Sequence, residues 1–337
     1  MNPDVVLDLP RARQLSVGMR AYAEALAERL PRVAPDLRFV TVPRASALDR
    51  NEQISLPGTL RRLHPRLIHF LSLYAPLAAP RPYVITIHDL IHLRFPQYFK
   101  RSVPPYYATV VRAVCARAVR VITDDERTIG DLGRFLGVRP EKISVVPLGV
   151  DDLFFTEVTP AAEPRPYFFY AGNHREHKDL ATLFAAWEGL DPASEVDLLV
   201  TGDDDFGVAT RRPQRTRGRL RFLGELDAAR LASLYAGSVA LVHPALCEGF
   251  GLPMVEAAAA GATVIACEDA VPGVLRPYVD VFAARDVRSL SALMARALSL
   301  PGPREDARRA ARALTWDRCA ERTAEVYRAV LQEQRLQ

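Results

Sequence analysis

Two carboxylates, Glu248 and Glu256, stand eight positions apart in the stretch Glu248-Gly-Phe-Gly-Leu-Pro-Met-Val-Glu256. The apolar run Val239 to His243 before them reads as a buried strand, and Pro253 to Ala260 reads as a helix. One carboxylate therefore falls on a strand-to-helix loop and the other in the first helical turn, with Pro253 suited to a first helical position. Gly249 and Gly251 let backbone approach a ligand closely. A helix start offers free N–H groups and a positive dipole end, a natural seat for phosphate. Carboxylates beside such a seat are poor phosphate ligands and good acceptors for sugar and ribose hydroxyls. Together these groups suit a ligand with both phosphates and hydroxyls, such as a nucleotide sugar. The competing reading is a glutamate that only complements the helix dipole beside an ordinary glycine loop.

A second group of polar residues follows another apolar run. Gly172-Asn-His-Arg-Glu-His-Lys178 places Arg175 and Lys178 on a loop feeding a helix. Two cations there could clamp a diphosphate, each charge-assisted hydrogen bond contributing roughly 1.5–3 kcal/mol. Alternatively the segment is a solvated polar turn. His88 ends the run Tyr83-Val-Ile-Thr-Ile. Strand ends of open α/β sheets face ligands, whereas a lone histidine among apolar residues is often structural.

The elements that must position these residues are short apolar runs alternating with helical patterns. Val5 to Leu7, Leu37 to Val42, Leu67 to Leu71, Tyr83 to Ile87, Val119 to Thr123 and Ile143 to Val146 read as strands. A second series comprises Tyr167 to Ala171, Val196 to Thr201, Leu220 to Leu223, Val239 to His243, Thr263 to Ala266 and Val281 to Ala283. Met19 to Leu30 has a helical period with Ser16 as N-cap. Pro104 to Ala118, Leu180 to Trp187, Ala228 to Tyr235 and the Arg/Ala-rich segment Arg304 to Glu333 also read as helices. Such alternation implies parallel sheets of right-handed βαβ units. The fold class expected is α/β, two Rossmann-like doubly wound domains in tandem, with the ligand at the C-terminal strand ends. Thr156 to Pro166, with three prolines, is the expected linker.

A chain of 337 residues suits two domains. Apolar content of 49% and charged content of 25% are those of a soluble globular protein. No apolar run reaches the roughly 18 residues that span a bilayer; Leu67 to Pro80 is too short and carries His69. The N-terminus lacks a signal-peptide pattern. Cys115, Cys247, Cys267 and Cys319 are scattered without metal-ligand spacing, which points to a reducing cytoplasm and no structural zinc. Cys247 adjoins Glu248 but reads as a small packing residue rather than a nucleophile. Residues 1–150 hold 22 Lys/Arg against 13 Asp/Glu, and residues 151–337 hold 22 against 27. A basic first half could face an anionic acceptor or make peripheral contact with the inner face of a membrane, or its arginines are solvated helix faces. No basic-aromatic motif of a nucleic-acid module occurs. Neither domain opens with Gly-x-Gly-x-x-Gly, which argues against an NAD dehydrogenase.

Taken together, Ile87-His88-Asp89, Val145-Val-Pro-Leu-Gly149-Val-Asp151, Gly172-Asn173…His177-Lys178 and Glu248-Gly-Phe-Gly-Leu-Pro…Glu256 resemble the group 1 retaining glycosyltransferases, family 4, of GT-B fold. The resemblance runs from the first strand to the helix around Trp316, which in that family crosses back to the first domain. It implies an N-terminal acceptor domain over residues 1–155 plus the helix at about 316–337, and a nucleotide-sugar domain over 156–315. It implies that Glu256 accepts from ribose hydroxyls and that Glu248 lies near the donor sugar's hydroxyls. The N–H groups of Gly249, Phe250, Gly251 and Leu252 would hold that sugar and the distal phosphate. Gly172 and Asn173 belong to the donor loop, Arg175 and Lys178 to the diphosphate clamp, and His88 to the reacting centre. Gly18, ahead of the first helix, matches a glycine loop near the phosphates or acceptor; Phe222 and Leu223 lie where the family contacts the base. The implied reaction is metal-independent transfer of a hexosyl group, with retention, from GDP-mannose or a UDP-sugar to a saccharide, lipid-linked or small-molecule hydroxyl, and no cofactor. Asp203-Asp-Asp205 fits a metal-binding string but reads as a solvated loop. Charge on the departing diphosphate would then be met by Lys, Arg and helix N–H groups. Departures from the pattern include Ala245 and Cys247 before the first glutamate, Asp179 after Lys178 and Asp124-Asp125 in place of serine. A non-catalytic nucleotide-sugar-binding partner and a nucleotide-sugar epimerase are the competing functions; oligomeric state is not legible.

Overall fold

Residues 2–10, 16–44, 50–207, 217–300 and 304–336 are described by a computed structural model. The chain divides into two units, Met1–Gly149 with Leu314–Gln337, and Val150–Ala313.

The first unit is built on six parallel strands: β1 (Val5–Pro10), β2 (Phe39–Arg44), β3 (Leu67–Phe70), β4 (Tyr83–Thr86), β5 (Arg120–Thr123) and β6 (Ile143–Val145). They lie in the order β2-β1-β3-β4-β5-β6. Every residue of β3 and β4 is buried. Parallel sheets are covered on both faces, so their strands read as continuous apolar runs rather than alternating ones. The helices that cover this sheet begin with α1 (Val17–Val33), capped by the Ser16 hydroxyl, which accepts from Met19 N at 3.3 Å. Next come α2 (Arg50–Arg62) and α3 (Val103–Tyr106); α3 runs through a π turn (Tyr107–Val111) into α4 (Arg112–Arg117). Finally, α5 (Arg127–Leu136) buries Thr128, Leu132 and Leu136, one face at helical spacing.

The second unit repeats the plan with β7 (Tyr167–Tyr170), β8 (Asp197–Val200), β9 (Leu220–Phe222), β10 (Ala240–His243), β11 (Val264–Cys267) and β12 (Asp280–Phe282), all parallel, in the order β12-β11-β10-β7-β8-β9. Its helices include α6 (Leu180–Glu188), α7 (Ala228–Gly237), α8 (Leu252–Ala259), α9 (Val287–Ser299) and α10 (Glu305–Arg312). The chain winds outward from β7 to β9, then returns to place β10 on the other side of β7. That reversal opens a crevice at the carboxyl ends of β7 and β10, where such sheets bind ligands.

The expected linker at Thr156 to Pro166 is instead fastened to the second unit. Ala161 N donates to Ser233 O at 2.9 Å, and Glu163 pairs with Arg221 and Arg230 at 2.6 and 2.8 Å. Phe154 is buried against the Tyr235 ring, so the second unit starts ahead of the expected boundary at residue 156. The segment Arg304 to Glu333 is two helices rather than one. After α10 the chain breaks, and Thr315 caps α11 (Trp316–Arg335) by accepting from Arg318 N at 3.1 Å. Helix α11 returns to the first unit and packs along α1. Gly149 makes this docking possible: a Cβ there would collide with the backbone of Trp316.

Candidate active site

Strand order determines which loops meet. β7 and β10 are neighbours, so the loops leaving them run side by side. After β7 the chain turns at Gly172, where φ is +152° and a Cβ would press on the Tyr170 hydroxyl at 2.8 Å. The turn is tied down by Gly172 N and O, both bonded to Thr201 Oγ1 at 3.0 Å, and by Tyr170 OH donating to Asn173 O at 2.6 Å. Asn173 Oδ1 in turn accepts from Arg175 N. Arg175 is exposed. A single 3-10 turn, Glu176–Lys178, then buries Lys178 and turns it inward.

The loop after β10 supplies Lys178's partner. The ammonium group of Lys178 pairs with Glu248 Oε1, and His243 Nε2 reaches the same oxygen at 2.7 Å. Burial alone would raise the Glu248 carboxyl. The Lys178 charge and the His243 hydrogen bond more than offset this and hold it far below the usual carboxylate range. Gly251, with φ +94°, is the N-cap of α8, a left-handed conformation that favours glycine. Phe250 is buried, so only its backbone can serve a ligand. Leu252, not Pro253, is the first helical residue, and Glu256 falls one turn into α8 rather than in its first turn. There it accepts a hydrogen bond from Tyr235 OH at 3.1 Å. Burial, with a smaller push from Asp151, outweighs that bond and raises the Glu256 carboxyl to about 7.

Phe222 closes β9, and Leu223 N follows it with a bond to Val200 O at 2.9 Å. Gly202 and Gly224 pair across this end in an antiparallel bridge, beside a ring cluster of His174, Phe206, Phe222 and Phe184. Asp205 is largely exposed, with His174 Nδ1 at 3.4 Å. Among the described residues no group of three or more His, Cys, Asp or Glu is placed to hold a metal ion.

In the first unit, register carries His88 to Asp124. Thr86 of β4 pairs with Ile122 of β5, and two residues on, His88 Nδ1 meets Asp124 Oδ2 at 2.7 Å. Tyr22 sets its ring edge-on against the imidazole at 4.8 Å. Burial opposes charge on His88, but Asp124 prevails and raises it. Burial raises Asp124 as well; the proton belongs on His88 because imidazole is the stronger base in water. A hydrogen bond to the Leu71 backbone also holds the His88 ring and favours its charged form. Gly18, expected ahead of the first helix, is the second residue of α1.

His243, Tyr235 and Asp124 join these groups although their spacing did not mark them as chemistry. His243 carried a usable signal, since it ends a strand just as His88 follows one.

Comparison with known proteins agrees with this architecture. The family described as Glycosyl transferases group 1 matches residues 152–314, and Glycosyltransferase Family 4 matches residues 14–152. O-antigen chain mannosyltransferase RfbU of Salmonella typhimurium is 26% identical over 55% of this chain, an alignment spanning about half (52%) of that protein's length. O-antigen chain mannosyltransferase B of Escherichia coli is 24% identical over 96% of this chain and 94% of its own. The crystal structure of Anabaena Alr3699/HepE in complex with UDP-glucose superposes with a TM-score of 0.73 at 16% identity, covering 96% of this chain and 99% of that one. The fold is GT-B, two Rossmann-like domains, the architecture of a glycosyltransferase. The chain belongs to the group 1, family 4 glycosyltransferases, which take sugar from nucleotide sugars.

Proposed function

We propose that this protein transfers a hexosyl group, with retention and without a metal, from a nucleoside-diphosphate sugar to a hydroxyl of a saccharide acceptor. The observation that carries the reading is the meeting of Lys178 and Glu248 at the β7/β10 crevice, one turn of helix from Glu256. Lys178 and Arg175 supply positive charge for the diphosphate, and the start of α8 supplies N–H groups. Glu256 accepts from the ribose and Glu248 from the sugar. No protein nucleophile is required if the departing phosphate takes the acceptor's proton. His88, with Asp124 behind it, is the first unit's contribution to the reaction. The names of the two O-antigen relatives favour a mannosyl donor and a polysaccharide acceptor. A lipid-linked acceptor would suit peripheral attachment at the inner face of a membrane; among the described residues no helix is long and apolar enough to cross one.

The test is nucleoside-diphosphate release from GDP-mannose, UDP-glucose and UDP-GlcNAc, with and without an oligosaccharide acceptor. Acceptor-dependent release with an α-linked product is expected, and Lys178→Ala and Glu256→Ala should each lose most of it with an unchanged circular dichroism spectrum. Wild-type rates in both variants would overturn the site. Binding without release would favour a non-catalytic partner, and a new sugar formed from UDP-GlcNAc alone would indicate an epimerase.

A further inference from the structure

Lys178 faces two demands. The proposed reaction needs its charge on the donor's diphosphate, yet in the free protein it is paired with Glu248. Glu248 is nearly buried, its side chain 11% exposed. A buried carboxylate deprived of its cation reverts to the protonated acid or turns away unless another donor holds it. One such donor is in place. His243, at the end of β10, is wholly buried and reaches Glu248 Oε1 through Nε2 at 2.7 Å. A carboxylate oxygen only accepts, so Nε2 carries the hydrogen and donates. The ring itself is fixed: it lies nearly parallel to Tyr170, with centroids 6.1 Å apart, and Tyr170 is anchored in turn by its bond to Asn173 O.

We infer that His243 is a positioning residue for Glu248, holding its carboxylate aimed at the donor sugar when Lys178 turns to the diphosphate. The inference rests on the donor-site reading above and extends it. Lys178 and His243 share one oxygen, so departure of the lysine leaves the His243 bond in place and the carboxylate in the same rotamer. The other oxygen, Oε2, is then the acceptor for a sugar hydroxyl. His243 is tied in this way to the sugar and not to the nucleotide, whose ribose is assigned to Glu256.

That division gives the test. Affinities for GDP, GDP-mannose, UDP and UDP-glucose are measured by calorimetry on the full chain as wild type, His243→Phe, His243→Gln and His243→Asn. The Gln amide nitrogen can occupy the Nε2 position, whereas the shorter Asn cannot reach it. Phe and Asn should weaken the preferred sugar nucleotide about tenfold or more, while affinity for its nucleoside diphosphate stays within about twofold and Gln restores the wild-type value. If His243→Phe does not fold, the contrast between Gln and Asn decides. Equal loss of sugar nucleotide and nucleoside diphosphate, no loss, or failure of Gln to rescue would overturn the inference and leave the donor site standing. Wild-type protein that binds none of the four would overturn both.

Discussion

Glu256 lies partly buried beneath the Tyr235 hydroxyl, and its carboxyl, pushed up by desolvation to about 7, titrates near neutrality in the free protein. Ribose hydroxyls donate to the ionised form, so binding lowers this value and nucleotide affinity should rise as pH climbs through about 7. Stability runs the opposite way. A carboxyl raised on folding contributes stability that is fully present below its unfolded value of 4.5 and is lost as pH rises through about 7. The thermal shift produced by GDP or UDP should therefore be larger at about pH 8 than at about pH 6, and Glu256→Gln should flatten both trends. A shift that is independent of pH in the wild type would remove Glu256 from the ribose site. Glu248, Glu256 and Lys178 stood out as candidates because their spacing and the family resemblance marked them together; spacing alone left a dipole-complementing glutamate and a solvated turn open. Tyr235 and His243 did not: His243 meets Glu248, five residues on, only when the loop after β10 folds back, and Tyr235 meets Glu256 only when α7 packs against α8. Asp124 was visible only as a departure from the family pattern until the register of β4 and β5 brought it to His88.

The strands of both sheets were legible as elements for one physical reason. Buried parallel strands are unbroken apolar runs such as Tyr167-Phe-Phe-Tyr170. Two helices were masked by glycine or proline within them. α2 contains Pro57 and Gly58, and α5 contains Gly130 and Gly133, so neither declared itself by propensity. The break between α10 and α11 was hidden in an Arg/Ala-rich segment that offers good helix formers on both sides of Thr315. Docking of α11 also depends on a residue far away in sequence. Gly149 passes so close to Trp316 that an added methyl has only backbone to meet, which cannot give way as a flexible side chain would. Gly149→Ala should destabilise the first unit by about 1–3 kcal/mol, the usual cost of overpacking. Urea denaturation followed by Trp316 fluorescence, in a Trp187→Phe background, would report it; an unchanged midpoint would mean that α11 can shift without loss.

At the scale of the molecule, the return of α11 makes the first unit depend on the last residues of the chain. Tyr327 reaches into its core to bond His69 Nδ1 at 2.5 Å, and His69 Nε2 meets Thr86 Oγ1, which also contacts Tyr22 OH. The first unit's arginines are also drawn to this seam. Arg29 and Arg32 pair with Asp317, Arg120 pairs with Glu333, and Asp36 holds Arg328. Part of the basic excess read from the sequence is thus internal pairing, although exposed pairs of this kind contribute little to stability. The apolar stripe contributes more: each large side chain buried adds about 1.5–3 kcal/mol. Losing Trp316, Tyr327, Val330 and Leu331 together removes an amount comparable to the ~5–15 kcal/mol that keeps a domain folded. The second unit ends at Ala313 and has its own sheet, and Lys178, Glu248 and Glu256 all lie within it. A chain stopping at Ala313 should therefore lose the first unit's calorimetric transition and bind a dye for exposed apolar surface, while still binding GDP or UDP. If that truncated chain melted as the full-length protein does, α11 would be an appendage, and the first unit would be complete by Gly149.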